Sequence, residues 1–484
     1  MEDIGGSRRH VVVVGGGIAG LAAAWFLRRD GGDRVRVTVL EGAPRIGGKL
    51  SVSEVAGIAV DEGAEAMLVR RPEGEALARE AGLGPELVYP ATLLARVWSR
   101  GALREFPHGH VLGVPGDLAT LAASGVLSPT GLIRASMDQV LAPTLFTGDV
   151  SVAGYLGARL GREVVDRLVE PMLGGVYAGR TERLSLAATL PQIAAAARDR
   201  RSVLAAVREI RDGAPRDPGP VFTTVVGGLG TLPGAVAAAS GATVRTGAVV
   251  RELRRTPSGW RLTVGPARAP ETVEADAVIV AVPAAPAGRL LAAEVPAAAA
   301  ELAGIEYASM AVVTLAYPRE AFPEPLLGSG YLVPAVEDRA VKGVSFSSVK
   351  WPHLARSATA PVVVRCSLGR FGDERLLHRD DAELVALAVA ELAETSGARG
   401  LPRDTRVTRW GGGLPQYEVG HLERIARIRA AEATQPGLAL CGAAYDGIGI
   451  PAITATARAA AARVLDHLDP RREWRTERVL RVAG

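Results

Sequence analysis

The sequence predicts an α/β protein, α+β overall, in which a parallel-sheet domain is interleaved with an α+β domain and a helical subdomain. Three observations carry that expectation. Residues 10–41 read as strand, glycine-rich turn, helix and second strand. Near its end the chain returns to a strand, LALCG, a glycine-rich turn and an alanine-rich helix over 452–467. Between them, residues 116–211 carry helical periodicity broken at Pro129, Pro143, Pro171 and Pro191. A βαβ unit at one end and a strand–turn–helix at the other assign both ends to one domain, with the rest inserted.

Each element has a local reason. The run VVVV at 11–14 is a buried strand, LAAAWFLRRD a helix closed by a Gly-Gly turn, and RVRVTVLE an alternating second strand. Residues 72–100 mix helical and turn patterns. Proline and glycine cluster at 212–220, a linker. A glycine turn and helix over 227–239 precede short strands through 282, then strands at 310–316, 342–349 and 362–368 and a helix at 381–394. The expected division is 1–70, 220–284 and 403–484 for the parallel-sheet domain, 71–112 and 285–402 for the α+β domain, and 113–219 for the helical subdomain.

Composition narrows the function classes. Of 56 basic residues only Lys49, Lys342 and Lys350 are lysines, and the arginines are interspersed with 52 acids, so the formal +4 does not imply nucleic-acid binding. Cys366 and Cys441 lie in apolar runs and are expected to be buried and inert, without a disulfide framework. No signal-peptide pattern or run of about 18 apolar residues appears, so a cytoplasmic protein is expected. His108-Gly109-His110 lacks a third ligand, and no metal is expected.

The string Gly15-Gly16-Gly17-Ile18-Ala19-Gly20 follows a strand and opens a helix, and Glu41 stands 21 residues past Gly20. That context makes it a Rossmann-like dinucleotide fingerprint: Gly15 for the tight turn, Gly17 for approach to a pyrophosphate, Gly20 for helix–strand packing, Glu41 for a ribose. The helix N-terminus favours the phosphate charge. Next come Gly42, Arg45, Gly48 and Lys49, in a run that resembles the E-x(3)-R-x-G-G-[RK] signature of the FAD-dependent amine oxidase superfamily. The resemblance implies non-covalently bound FAD. It also implies that Gly63, Ala64, Glu65 and Ala66 run beside the flavin, and that Gly442, Ile448, Gly449 and Ile450 face the isoalloxazine N1/O2 edge. The superfamily's usual acid after that glycine is Ala443 here, which leaves its contacts to backbone.

Further strings resemble the protoporphyrinogen and coproporphyrinogen oxidases. Gly174-Gly175-Val176-Tyr177-Ala178-Gly179 with Arg183-Leu184-Ser185 is similar to their GVYAG-x(4)-LS segment. Gly330-Tyr331-Leu332-Val333-Pro334 is similar to G-[HY]-L-[VI]-P, and Trp410 with Leu414-Pro415-Gln416-Tyr417 and Gly420-His421 to W-x(3)-[LIM]-P-Q-Y-x-[VL]-G-H. Gly227-Gly228-Leu229 with Leu232-Pro233 is similar to the turn before the adenine-contacting strand, implying Val250 at the adenine. Trp410 is then flavin-adjacent or a core residue, and His421 a hydrogen-bonding or a catalytic one.

The implied reaction is six-electron oxidation of a porphyrinogen in haem biosynthesis. Hydride passes from bridge carbons to flavin N5, and molecular oxygen is reduced to hydrogen peroxide. No side chain is assigned as catalytic, because the flavin carries the chemistry. The terminal GAAYDGIGIP string resembles the coproporphyrinogen branch, so coproporphyrinogen III is expected over protoporphyrinogen IX. Arg71 and Arg96 are the expected carboxylate partners, with Gly175, Tyr331 and Leu332 lining the substrate. The alternatives are a protoporphyrinogen oxidase, an amine oxidase or carotenoid-desaturase-like enzyme, and a non-catalytic carrier delivering to a chelatase. Transient contact with a chelatase and at most peripheral membrane contact are compatible with the resemblance.

Overall fold

A computed structural model describes residues 8–144, 146–214, 219–355, 357 and 359–469; residues 215–218 of the expected linker lie outside these. Strand Arg9–Val14 is the centre of a five-stranded parallel sheet ordered Thr243–Arg245, Val35–Leu40, Arg9–Val14, Ala277–Val280, Leu438–Leu440. A parallel sheet is covered on both faces, which is why its central strand is uninterrupted valine. Val11 and Val13 enter the core shared with helices Ile18–Gly31 and Ile450–Leu468. Val12 and Val14 enter the opposite core, under the antiparallel sheet Val250–Thr256, Gly259–Val264, Glu271–Ala275 and helices Ala284–Leu291 and Pro296–Ala303.

A seven-stranded sheet is ordered Asp404–Pro415, Tyr307–Tyr317, Val362–Leu368, Val341–Ser345, Gly330–Leu332, Ala95–Ser99, Ala102–Glu105. All its pairings are antiparallel except Gly330–Leu332 with Ala95–Ser99. Helix Asp381–Ser396, opened by a capping box between Asp380 and Glu383, seals one face through Leu384, Ala388 and Leu392. On the other face, Ala95, Val97 and Leu332 join the core of the helical region.

Two expected boundaries move. Residues 404–415 pair with Tyr307–Tyr317 along their whole length, so they extend the α+β sheet beyond 402; helices Ala284–Leu291 and Pro296–Ala303 instead pack with the parallel sheet. The strand expected over 342–349 ends at Ser345 and turns helical at Ser347–Lys350. In an extended chain Lys350 would point away from Ser345, whereas the turn lets both reach Glu65.

In the helical region, Pro129 and Pro191 stand in the first turn of helices Pro129–Ser136 and Pro191–Asp199, so those breaks in the periodicity are helix starts. Pro171 instead lies inside a run that is helical from Arg162 to Tyr177, directly after a π turn at Val165–Val169. A fully buried ion pair ties the region together. Arg159 Nε donates to Asp138 Oδ1 at 2.7 Å, its Nη1 to Ala142 O at 2.6 Å, and Asp138 Oδ2 accepts from Ser202 Oγ at 2.7 Å and Leu204 N at 3.0 Å. Asp138→Ala strands the buried guanidinium and is expected to lower the unfolding free energy by about 3–5 kcal/mol, read from urea melts.

Candidate cofactor site

The site is built where the C-terminal ends of strands Arg9–Val14, Ala277–Val280 and Leu438–Leu440 meet, the crevice in which open parallel sheets bind ligands. Gly15 has φ +110°, a left-handed conformation, and a Cβ there would stand 2.7 Å from Ala281 O. A Cβ on Gly20 would run into the Gly15 carbonyl, so helix and turn approach only through glycine. A Cβ on Gly17 would meet nothing within 4 Å: this residue borders open space at the start of helix Ile18–Gly31, whose N-terminus has no side-chain cap. Glu41 closes the far side. Its Oε2 accepts from Gly16 N at 2.7 Å and its Oε1 from Ala43 N at 2.7 Å.

The second glycine pair folds back over the first. Gly47 N donates to Gly16 O at 2.8 Å, and a Cβ on Gly48 would stand 3.3 Å from Gly17 Cα. Arg45 is held on backbone, Nη2 to Gly48 O at 3.0 Å. Lys49 is half-buried with its ammonium 5.5 Å from the Tyr307 ring centre and no carboxylate partner among the described residues; burial pulls it down to about 8. Gly42 packs against Val249, whose 39% exposure leaves an apolar ledge beside Val250. From the other end of the chain, Gly442 (φ +134°) lies against Ala19, and helix Ile450–Leu468 begins at Gly449, again without a side-chain cap. Two uncapped helix N-termini, an unpaired cation and side-chain-free backbone suit an anionic dinucleotide.

The residues expected beside the flavin are packed as one strap. Trp410 Nε1 donates to Glu62 O at 2.9 Å and stands 3.5 Å from where a Gly63 Cβ would be. Arg365 Nη2 donates to Gly63 O at 2.5 Å. The Glu65 side chain turns away from the crevice into an ion cluster: it accepts from Ser345 Oγ at 2.7 Å, Ser347 Oγ at 3.0 Å, Lys350 Nζ at 2.7 Å and Arg365 Nη1 at 2.7 Å. Only the backbone of Gly63–Ala66 and the small side chains of Ala64 and Ala66 are left for a cofactor. Burial alone would raise the Glu65 carboxyl, but the charges of Lys350 and Arg365 overcome it and hold the group well below the usual carboxylate range.

Residues 18–465 match the family of flavin-containing amine oxidoreductases. The chain belongs to that family. It is 38% identical over 468 residues to a coproporphyrinogen III oxidase of Mycobacterium tuberculosis strain H37Rv, covering 95% of this chain and 98% of the relative. It is 31% identical over 474 residues to a coproporphyrinogen III oxidase of Bacillus subtilis strain 168, covering 95% and 99%. A solved structure from Exiguobacterium sp. 255-15, provisionally assigned as a protoporphyrinogen oxidase, superposes with TM-score 0.83 at 29% identity, covering 96% and 99%.

Beside the flavin crevice, an exposed Gly175 on helix Glu170–Tyr177 faces Leu332, whose Cδ2 lies 3.5 Å from a Gly175 Cβ position. Ala95, Met172 and Ile448 are partly buried against the same core as Leu332. Two expected substrate residues do not reach it. Tyr331 is 2% exposed, packs on Phe346 and bonds Thr395 through its hydroxyl, on the sheet face sealed by helix Asp381–Ser396. Arg96 is the register partner of Tyr331, so period-two alternation sends it to that same face and leaves Ala95 and Val97 with Leu332. Arg71 is exposed, with Nη1 3.8 Å from a Gly447 Cβ position and Nη2 3.7 Å from Glu73.

Sequence reasoning missed Arg365 and Lys350, although Lys350 is one of three lysines in an arginine-rich chain and directly follows the strand expected over 342–349. A carboxylate whose folded value is depressed stabilises the fold above its unfolded value and loses that contribution as pH falls. Stability should therefore decline as pH drops below about 5. Glu65→Gln should destabilise at pH 7 by about 3–5 kcal/mol, through its unpaired cations, and show a shallower acid slope in urea melts at pH 7 and pH 4.

Proposed function

We propose that this chain is an FAD-dependent coproporphyrinogen III oxidase. The observation that carries the substrate choice is the similarity over 95% of the chain to relatives named coproporphyrinogen III oxidase, at 27–38% identity. The cradle supports FAD: Gly17 and Gly48 give backbone access to a pyrophosphate, Lys49 and Arg45 supply charge, Glu41 binds a ribose, and Val249–Val250 border the adenine. Bound there, FAD would accept hydride at N5 and return the electrons to oxygen. The balance is coproporphyrinogen III plus three O₂ giving coproporphyrin III plus three H₂O₂.

The chain's own contribution is positional. The Gly442 N–H is taken by Thr456 Oγ1 at 3.1 Å, so the uncapped start of helix Ile450–Leu468 is the part of this junction that would direct a positive field at the N1/O2 edge of a bound flavin. Gly175 and Leu332 offer an apolar surface to a tetrapyrrole and keep water from it. The exposure of Arg71 and its proximity to Gly447 support it as the cation that meets a propionate. Pyrrole N–H loss needs no strong protein base.

Parallel turnover of coproporphyrinogen III and protoporphyrinogen IX, followed by porphyrin fluorescence, is expected to show clear preference for the first. Preference for protoporphyrinogen would move the chain to the other branch. Lys49 gives an independent check on the cradle. An anion beside an ammonium pulled down to about 8 raises its pKa, so FAD binding at pH 8.5 should take up protons. Calorimetry in buffers of different ionisation enthalpy measures that uptake, and Lys49→Met should remove most of it.

A further inference from the structure

The segment Gln416–His421 has no assigned role in the reaction, and it lies between the substrate wall and the loop from Cys441 to Ile450. Tyr417 is 2% exposed and His421 3%. The Tyr417 hydroxyl donates to Ala443 O at 2.7 Å and accepts from Gly447 N at 2.8 Å, clasping two points of one loop through a single oxygen. Those points bracket Ala444–Asp446, and Gly442 and Gly447 both have left-handed φ, at +134° and +135°. Without a clasp the two glycines would leave the loop several conformations.

The clasp is itself held. The His421 ring stacks on Tyr417 with centroids 3.9 Å apart and planes at 15°. His421 Nε2 lies 3.1 Å from Tyr445 O; a carbonyl only accepts, so this nitrogen carries a proton. Burial lowers the His421 pKa, so the ring is neutral, with Nδ1 unprotonated. Tyr417 O accepts from Ser185 N at 2.8 Å, and the Tyr177 ring tilts against the Tyr417 ring at 5.5 Å. Tyr177 ends the helix that carries Gly175. Burial also pushes the Tyr417 hydroxyl well above its ordinary value, so it remains a donor throughout the working pH range.

Resting on the FAD reading above, we propose that Tyr417 is a positioning residue. By clasping Ala443 to Gly447 it fixes the loop that leads into the helix starting at Ile450, and so aims that helix's uncapped N-terminus toward the flavin N1/O2 edge, with His421 bracing it by stacking. The Ala443 position, where the superfamily pattern has an acid, is thereby held through its carbonyl rather than its side chain.

The test is the two-electron reduction equilibrium of FAD in the loaded protein, measured against a reference dye, together with the flavin visible spectrum. Tyr417→Phe keeps the ring and the stack and loses the clasp. Its reduction equilibrium constant should fall about tenfold, the factor expected from weakening one typical hydrogen bond to the developing charge. The flavin band should shift while the thermal midpoint stays close to wild type. His421→Gln, which retains a donor but loses the stack, should move the constant in the same direction by a smaller factor. It decides the matter if Tyr417→Phe does not fold.

An unchanged constant and spectrum in the folded variants would overturn the proposal. Wild-type protein that holds FAD but oxidises no porphyrinogen would sink the substrate assignment and leave this measurement valid. Wild-type protein that holds no FAD would remove both.

Discussion

Two helices begin at the same edge of one parallel sheet with nothing but glycine at their N-termini, and most of the architecture follows from keeping that junction open. Helix Ile18–Gly31 can sit close to the central strand only because Gly20 presses on the Gly15 carbonyl. Helix Ile450–Leu468 joins it because Cys441 and Gly442 lie against Ala19. Elsewhere, helices starting at Leu118, Pro129, Val152 and Val203 take a side-chain oxygen on their first amides. At the junction no side chain takes those donors, as also at the helices starting at Leu232 and Ala284, and the two N-termini together suit the anionic dinucleotide proposed for the crevice.

An interleaved chain must also hold its inserted parts in register with that junction. Here the work falls on buried charge. Glu65, Arg365 and Lys350 join the strap after the second glycine pair to the seven-stranded sheet, and Glu62 adds Ser51 and Arg406. Asp61 accepts from Leu229 and Gly230 amides at 3.0 and 2.9 Å, while burial lifts its carboxyl to about 6. Such groups are costly alone and specific together, because each has only one arrangement that satisfies all its partners. The apolar wall of Gly175 and Leu332 is thereby set at a fixed place beside the crevice.

The candidate site was legible wherever chemistry demands a residue type at a short spacing. Gly15, Gly17, Gly20 and Glu41 come together within one βαβ unit, and local spacing suffices to read that. Arg96 and Tyr331 were misplaced because a strand reveals alternation but not which face meets the site, and one residue of offset exchanges the faces. Glu65 was recognised as part of a motif, yet its partners Ser345, Lys350 and Arg365 come from 280 to 300 residues away, a distance at which no pattern in the chain points to them.

By itself, then, the amino-acid order determined the α/β class, the dinucleotide turn and the flavin family, since each rests on periodicity or on motifs whose residues lie close together in the chain. Only tertiary structure decided that residues 404–415 complete the α+β sheet, that Arg96 faces away from Leu332, and that Tyr417 clasps the loop at Ala443 and Gly447. Those outcomes depend on which strand pairs with which and on where one hydroxyl comes to rest. They are settled by long-range packing, in which a residue's neighbours in space share no spacing with it in the chain.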